Sequence, residues 1–147
     1  MQRYLVKIIS QIGICYPRSS IVGPQSGFRA PDAYLLHQDE PTSLYALWRK
    51  STSFYLLLFA GNEAPNFTAI LQKVAAHPII PIVIFQEGRL PLVSHTVQSF
   101  KDSSGSAHRL YGAKGCRAVL IRPDLYIGYQ TDNLDELNLD SYFFHEV

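Results

Sequence analysis

Two cysteines, Cys15 and Cys116, are the strongest nucleophiles this chain could offer. A thiol attacks only when it ionises near neutral pH, which a helix N-terminus or a neighbouring cation promotes. Arg117 adjoins Cys116 and could act in that way, yet a cysteine at the start of a strand is better read as a small buried hydrophobe. Sequence alone leaves a Cys15–Cys116 disulfide open, because pairing requires a Cα approach within about 7 Å. Two ordinary thiols in a reducing compartment are the preferred reading. The five histidines, His37, His77, His95, His108 and His145, include no pair three to five residues apart, so metal-ligand spacing is absent. Most are expected at the surface or at helix ends, with His77 complementing the dipole of the helix before it. No GxSxG elbow occurs, and Ser103-Ser104-Gly105-Ser106 suits a polar turn. No GxGxxG occurs either. Gly112-Ala113-Lys114-Gly115 follows a helix and precedes a strand, the reverse of what a pyrophosphate cradle needs.

The elements that would position these residues must come from a chain of 147 residues, 47% hydrophobic and 17% charged. That composition suits one folded domain with a real core. The net charge is +1 with both signs scattered, which leaves no footprint for a nucleic-acid backbone or an acidic membrane surface. The longest apolar stretches, Phe54 to Ala60 and Ile79 to Phe85, fall far short of the roughly 20 residues that span a bilayer. Lys7, Ser10 and Gln11 break the opening apolar run too early for a secretory leader, so a cytoplasmic location is expected.

Residues 1–30 are expected to form an extended arm, because Gly13, Pro17, Gly23, Pro24 and Gly27 punctuate short apolar runs. Residues 31–147 carry regular patterns. DAYLLHQ (32–38) predicts a strand, and Pro41 is expected to open a helix with Leu44, Leu47 and Trp48 on one face. SFYLLLFAG (53–61) predicts a strand buried on both faces. Asn66 is the expected N-cap of a helix whose stripe is Phe67, Ile70, Leu71 and Val74, stopped by His77-Pro78. IIPIVIF (79–85) predicts the next strand, with Pro81 near its start or at an irregularity. A short strand near Val97 to Phe100 precedes one or two helical turns over Ser106 to Tyr111, closed by Gly112. Arg117 to Ile121 and Tyr126 to Gln130 predict a hairpin around Arg122-Pro123-Asp124-Leu125, with proline at i+1 of a type I turn. Leu134 and Leu137 mark a closing helix that packs on the sheet. The order is βαβαβ, a variable stretch, then ββα. Periodicity by itself supports a generic α/β sandwich with a right-handed crossover.

Three segments add a family. GFRAPDAYL (27–35), with Arg29, Ala30, Pro31 and Asp32, follows an arm that is itself linker-like. TSLYALWRKSTSFYLLLFAG (42–61) is the second, and LYGAKGCRAVLIRPDLYIGYQ (110–130), with Tyr111, Gly112, Arg122, Pro123 and Asp124, the third. Together they resemble the C-terminal domain of FAD-dependent aromatic-ring hydroxylases, the phenol-hydroxylase-like flavoprotein monooxygenases. The sequence departs from that family at Leu125, where glycine is common. Leucine resists positive φ, so the turn is expected to be of a type leucine tolerates.

The resemblance implies a thioredoxin-like α/β fold, a central mixed sheet flanked by helices, that has lost thiol chemistry. It implies duties in packing or oligomerisation and a partner in a flavoprotein hydroxylase body or a second copy. FAD would enter only if flavin-binding domains precede this part in a longer hydroxylase, and no cofactor is expected for the chain alone. In a working thioredoxin the nucleophile follows the first central strand, at a helix N-terminus. Here that place is Gly61-Asn62-Glu63-Ala64-Pro65-Asn66. It holds no cysteine, and Glu63 would oppose a thiolate. The proline that should precede the hairpin strand is replaced by Gly115-Cys116-Arg117. A thiol oxidoreductase or peroxidase using Cys116 or Cys15 is the rival reading, and a small-ligand binding protein the third. Arg122 and Asp124 are expected to serve the hairpin through turn hydrogen bonds, with ligand binding as the alternative. Uncovered aromatics among Tyr16, Phe28, Tyr34 and Tyr129 would favour self-association.

Overall fold

The structure, a computed structural model, describes residues 28–61, 66–86, 97–134, 137 and 139. The bulk of the expected arm, Cys15 and Tyr16 with it, lies outside the described residues, as do Glu63, His95, His145 and much of the closing helix.

The chain runs β1 (Tyr34–His37), β2 (Glu40–Ser43), α1 (Leu44–Trp48), β3 (Phe54–Phe59), α2 (Thr68–Val74), β4 (Ile79–Phe85), β5 (Gln98–Lys101), α3 (Ser106–Leu110), β6 (Arg117–Ile121) and β7 (Ile127–Thr131). The strands form one seven-stranded sheet in the order β2-β1-β5-β4-β3-β6-β7. At its centre β5, β4 and β3 are parallel, and the flanking pairs are antiparallel. The mixed α/β plan is therefore the expected one.

Alternation along the central strands builds two apolar layers. Tyr55, Leu57, Phe59, Ile82, Ile84, Val119 and Ile121 face α1, Ala107 of α3 and Tyr111. Leu56, Leu58, Val83, Ala118 and Leu120 face Phe67, Ile70 and Val74, joined by Leu137 and Leu139. β3 has helices over both faces, which is why FYLLLF is a continuous apolar run. Each fully buried leucine or phenylalanine there contributes roughly 1.5–3 kcal/mol of transfer free energy. Leu134 and Leu137 do pack on the sheet, as expected.

α1 starts later than the sequence predicts. Pro41 does not open it: Pro41 lies in β2, an edge strand whose open side needs no donor. The N-cap is Ser43, whose Oγ accepts from the Ala46 amide at 3.2 Å. What reverses the chain ahead of Pro41 is the pair Gln38 and Asp39, at φ 53° and 69°. Positive φ at both central residues is the mark of the type I′ hairpin turn. At α2 the N-cap is Phe67, not Asn66, because the helix begins one residue later than expected; Asn66 Oδ1 still accepts from the Thr68 amide at 2.9 Å from the position before the cap. Pro81 sits in the first part of β4, ahead of the stretch from Ile82 onward that pairs with β5.

The β6–β7 turn corrects a second expectation. The Leu125 amide donates to the Arg122 carbonyl at 2.8 Å, and the Arg122 amide to Tyr126 at 2.9 Å. Leu125 itself sits at φ 68°. The turn is thus the glycine-favouring kind, a type I turn followed by a left-handed residue. Leucine occupies it because its side chain packs against the core and its carbonyl accepts the Ala30 amide at 2.8 Å.

Candidate functional site

The three family-like segments meet in space. Residues 28–30 lie antiparallel to 125–127: Ala30 donates to Leu125, Ile127 donates to Phe28 at 2.9 Å, and Arg29 bridges Tyr126. Asp32 turns its carboxylate back, Oδ1 accepting from the Ala33 and Tyr45 amides at 2.9 Å each. It therefore caps α1 from outside the helix, where a negative charge is favoured. Tyr45 answers by donating its hydroxyl to the Ala30 carbonyl at 3.0 Å, with Arg29 stacked 5.9 Å above its ring. Tyr111, fully buried, donates to the Pro31 carbonyl at 2.5 Å. Burial, then the nearby Tyr45 and Asp32, push the Tyr111 hydroxyl far above its ordinary range, so it stays a donor. Gly112, at φ +68°, closes α3: its amide reaches Arg109, and the Ala113 amide reaches His108 at 2.8 Å, the Schellman pattern. Arg122 and Asp124 pair with each other at 2.6 Å, and Asp124 also accepts the Tyr126 amide at 3.2 Å. All of these contacts hold backbone in place, and none converges on a reacting atom.

The other end of the sheet is where chemistry would stand. β3 ends at Phe59, and two residues on lies Gly61, whose backbone is at φ +65°. A Cβ there would lie 2.7 Å from the Gly115 backbone, so glycine is required on two independent counts. The Gly61 amide donates to His108 Nε2 at 3.2 Å. His108 lies in the last turn of α3, a helix end as expected, but it is only 3% exposed and so is buried rather than on the surface. Its Nδ1 donates to Asp102 Oδ2 at 2.8 Å. With Nε2 accepting and Nδ1 donating, the ring is the neutral Nδ1–H tautomer. Asp102, 1% exposed, also accepts the His108 and Ala107 amides at 2.9 and 3.3 Å. Burial drives its carboxyl upward, but those hydrogen bonds from His108 and Ala107 outweigh it and hold the group below its ordinary value. An aspartate–histidine pair looks like half of an acid–base device. Here the outer nitrogen is already spoken for, and Phe59 closes over the ring edge at 5.0 Å. The pair pins the end of β3.

Cys116 stands beside this junction. It is half-buried, less covered than expected, and its Sγ contacts the Ala60 carbonyl at 3.6 Å. Arg117 does not serve the thiol. Its guanidinium binds Gln130 Oε1 at 2.6 and 3.2 Å and pairs with Asp132. Ser103 and Ser104 lie in the turn before α3. Of the aromatics proposed for an open patch, Phe28 and Tyr34 are 53% and 79% exposed, whereas Tyr129 is buried and drops out. Among the described residues no group of three or more His, Cys, Asp or Glu could hold a metal ion, and no helix is long and apolar enough to cross a membrane.

A mixed sheet with this strand order and helices on both faces is a thioredoxin-like fold, and solved structures bear that out. A structure described as a thiol:disulfide interchange protein DsbE of Chlorobium tepidum superposes with a TM-score of 0.55 at 18% identity, covering 80% of this chain and 94% of that one. The thioredoxin domain of a thiol-disulfide oxidoreductase from Bacteroides vulgatus gives 0.55 at 13% identity, over 82% and 95%. Aklavinone-11 hydroxylase, solved with FAD and aklavinone, gives 0.50 at 24% identity; the match takes in 73% of this chain and only 18% of the hydroxylase. No curated protein sequence matches the chain. The family model for the C-terminal part of aromatic-ring hydroxylases matches residues 23–142. The chain belongs to that family.

Proposed function

We propose that the chain is a thiol-inert accessory module of the aromatic-ring hydroxylase type, built to pack against a flavin-binding hydroxylase body in the cytoplasm. One observation carries the reading. At Gly61, where the connection that would carry a thioredoxin nucleophile begins, the amide is tied to His108 and the α-carbon is wedged against Gly115, with no space for a side chain. The family motifs point the same way, since every contact of Arg29 to Asp32, Tyr111, Gly112 and Arg122 to Asp124 described above is scaffolding.

The module is read as holding no FAD of its own. A flavin pyrophosphate needs free amides in a glycine-rich turn after a strand. The one glycine at the end of β3 gives its amide to His108, so the residues present do not fit that group. Phe28 and Tyr34 supply exposed aromatic surface for docking to a larger partner or to a second copy.

The rival reading, a thiol oxidoreductase, draws on the half-buried Cys116 beside the end of β3. Insulin-disulfide reduction and peroxide consumption by the wild-type chain, Cys116→Ser and Cys15→Ser separate the two. Background rates in all three support the inert module; wild-type turnover abolished by Cys116→Ser overturns it.

A further inference from the structure

β5, β4 and β3 run parallel, so their carboxyl ends lie together at Asp102, Gln86 and Gly61. From β3 the chain passes to α2 on one face of the sheet, and from β5 to α3 on the other. The two connections part over the end of β4. Ligand crevices in parallel sheets open at such switch points. A groove of about 610 Å³ occupies this one, lined by Gln86, Ser103, Ser104, Arg109 and Lys114 around Gly105.

Its chemistry is that of a donor site. Gly105 is at φ +77°, and a Cβ there would meet the Arg109 guanidinium at 3.1 Å and the Gln86 amide nitrogen at 3.7 Å. The missing side chain thus lets those two donors gather over one bare stretch of backbone. Arg109 is held in that position by donating NH1 to the Ser104 carbonyl at 3.1 Å, and the residue is exposed. Lys114 adds a second cation to the lining. The carboxylate in the groove, Asp102, is buried and consumed by His108 and Ala107. Among the described residues no ion pair engages Arg109 or Lys114. Two cations and an amide lining one concavity suit an oxyanion. His108 has no free nitrogen to offer, which makes this a place for binding rather than for reaction.

We propose that this groove binds a small molecule bearing a carboxylate or phosphate group, with Arg109 and Lys114 as its charge partners and Gln86 as a neutral donor. The inference stands apart from the accessory-module reading, since an inert or a thiol-active domain could equally carry such a groove.

The test is a titration of the full chain, followed by amide chemical shifts, with inorganic phosphate in one arm and citrate in the other, ionic strength held constant with sodium chloride. Saturable shifts centred on Gln86 and residues 102–114 are expected in at least one arm, and the arm that saturates names the anion. Arg109→Gln should weaken that binding about tenfold, and Arg109→Gln with Lys114→Gln should abolish it. Both side chains are exposed, so the fold should survive, as an unchanged melting temperature would establish. Should the double variant unfold, Gln86→Ala is the second probe, with a several-fold loss expected. Shifts that fail to saturate in both arms, or that persist in the folded double variant, overturn the proposal.

Discussion

Leu125 offers a measurement in which the usual rule for glycine should reverse. At an ordinary site alanine is more stable than glycine by about 0.5–1 kcal/mol, because glycine loses more freedom on folding. Leu125 sits at φ 68°, where a side chain costs of order 1–3 kcal/mol that glycine does not incur. Both Leu125→Ala and Leu125→Gly remove the same packing against the core, so comparing them cancels that loss. Subtracting the entropy cost from the strain leaves the glycine variant ahead by roughly 1 kcal/mol, within a range of about 0–2.5. For a domain of this size that is a melting difference of about 4 °C. Urea denaturation of the two variants, with equal m-values as the two-state check, measures it directly. An alanine variant as stable as the glycine variant, or more so, would refute the claim that this turn stores strain. Wild type should exceed both if packing of the leucine outweighs its conformational cost.

Three further outcomes follow from contacts already described. Gly61→Ala should destabilise by about 3 kcal/mol or more, combining positive φ with a backbone clash, and a melting temperature near wild type would contradict it. Tyr111→Phe should cost about 1 kcal/mol by leaving the Pro31 carbonyl without its donor, read from urea midpoints. Asp102 has a folded-state pKa below its ordinary 3.8. Its contribution is therefore fully present above that ordinary value and is lost as pH falls through the folded one. Asp102→Asn should lower stability by roughly 1–3 kcal/mol at pH 7, and the gap from wild type should narrow below about pH 4; a gap independent of pH would count against the ionised carboxylate.

Much of the fold was legible because its signals are local. FYLLLF and IIPIVIF are apolar runs that only a covered sheet accommodates, and Arg122-Pro123-Asp124 announces its own reversal. The β1–β2 hairpin escaped notice for an equally local reason. Gln38-Asp39 lacks the Asn-Gly chemistry that flags a type I′ turn, and Pro41 imitates a helix start. The junction at the end of β3 could not be read at all. His108 reaches Gly61 across 47 residues of sequence, and Asp32 caps α1 across 13. No spacing rule spans such distances. An aspartate ahead of Ser103-Ser104-Gly105 was a hint of capping at α3, but nothing in it foretold a buried histidine.

The way residues 28–30 enter the sheet has a mechanical consequence. They run alongside residues 125–127, so tension directed along that line loads these contacts in shear. The bonds at Ala30 and Ile127 then share the load together instead of unzipping one at a time. Pro31, held by Tyr111, and Asp32, braced on α1, lie directly behind them as a second anchorage. A pull in that direction would have to break these contacts together before it reached the core.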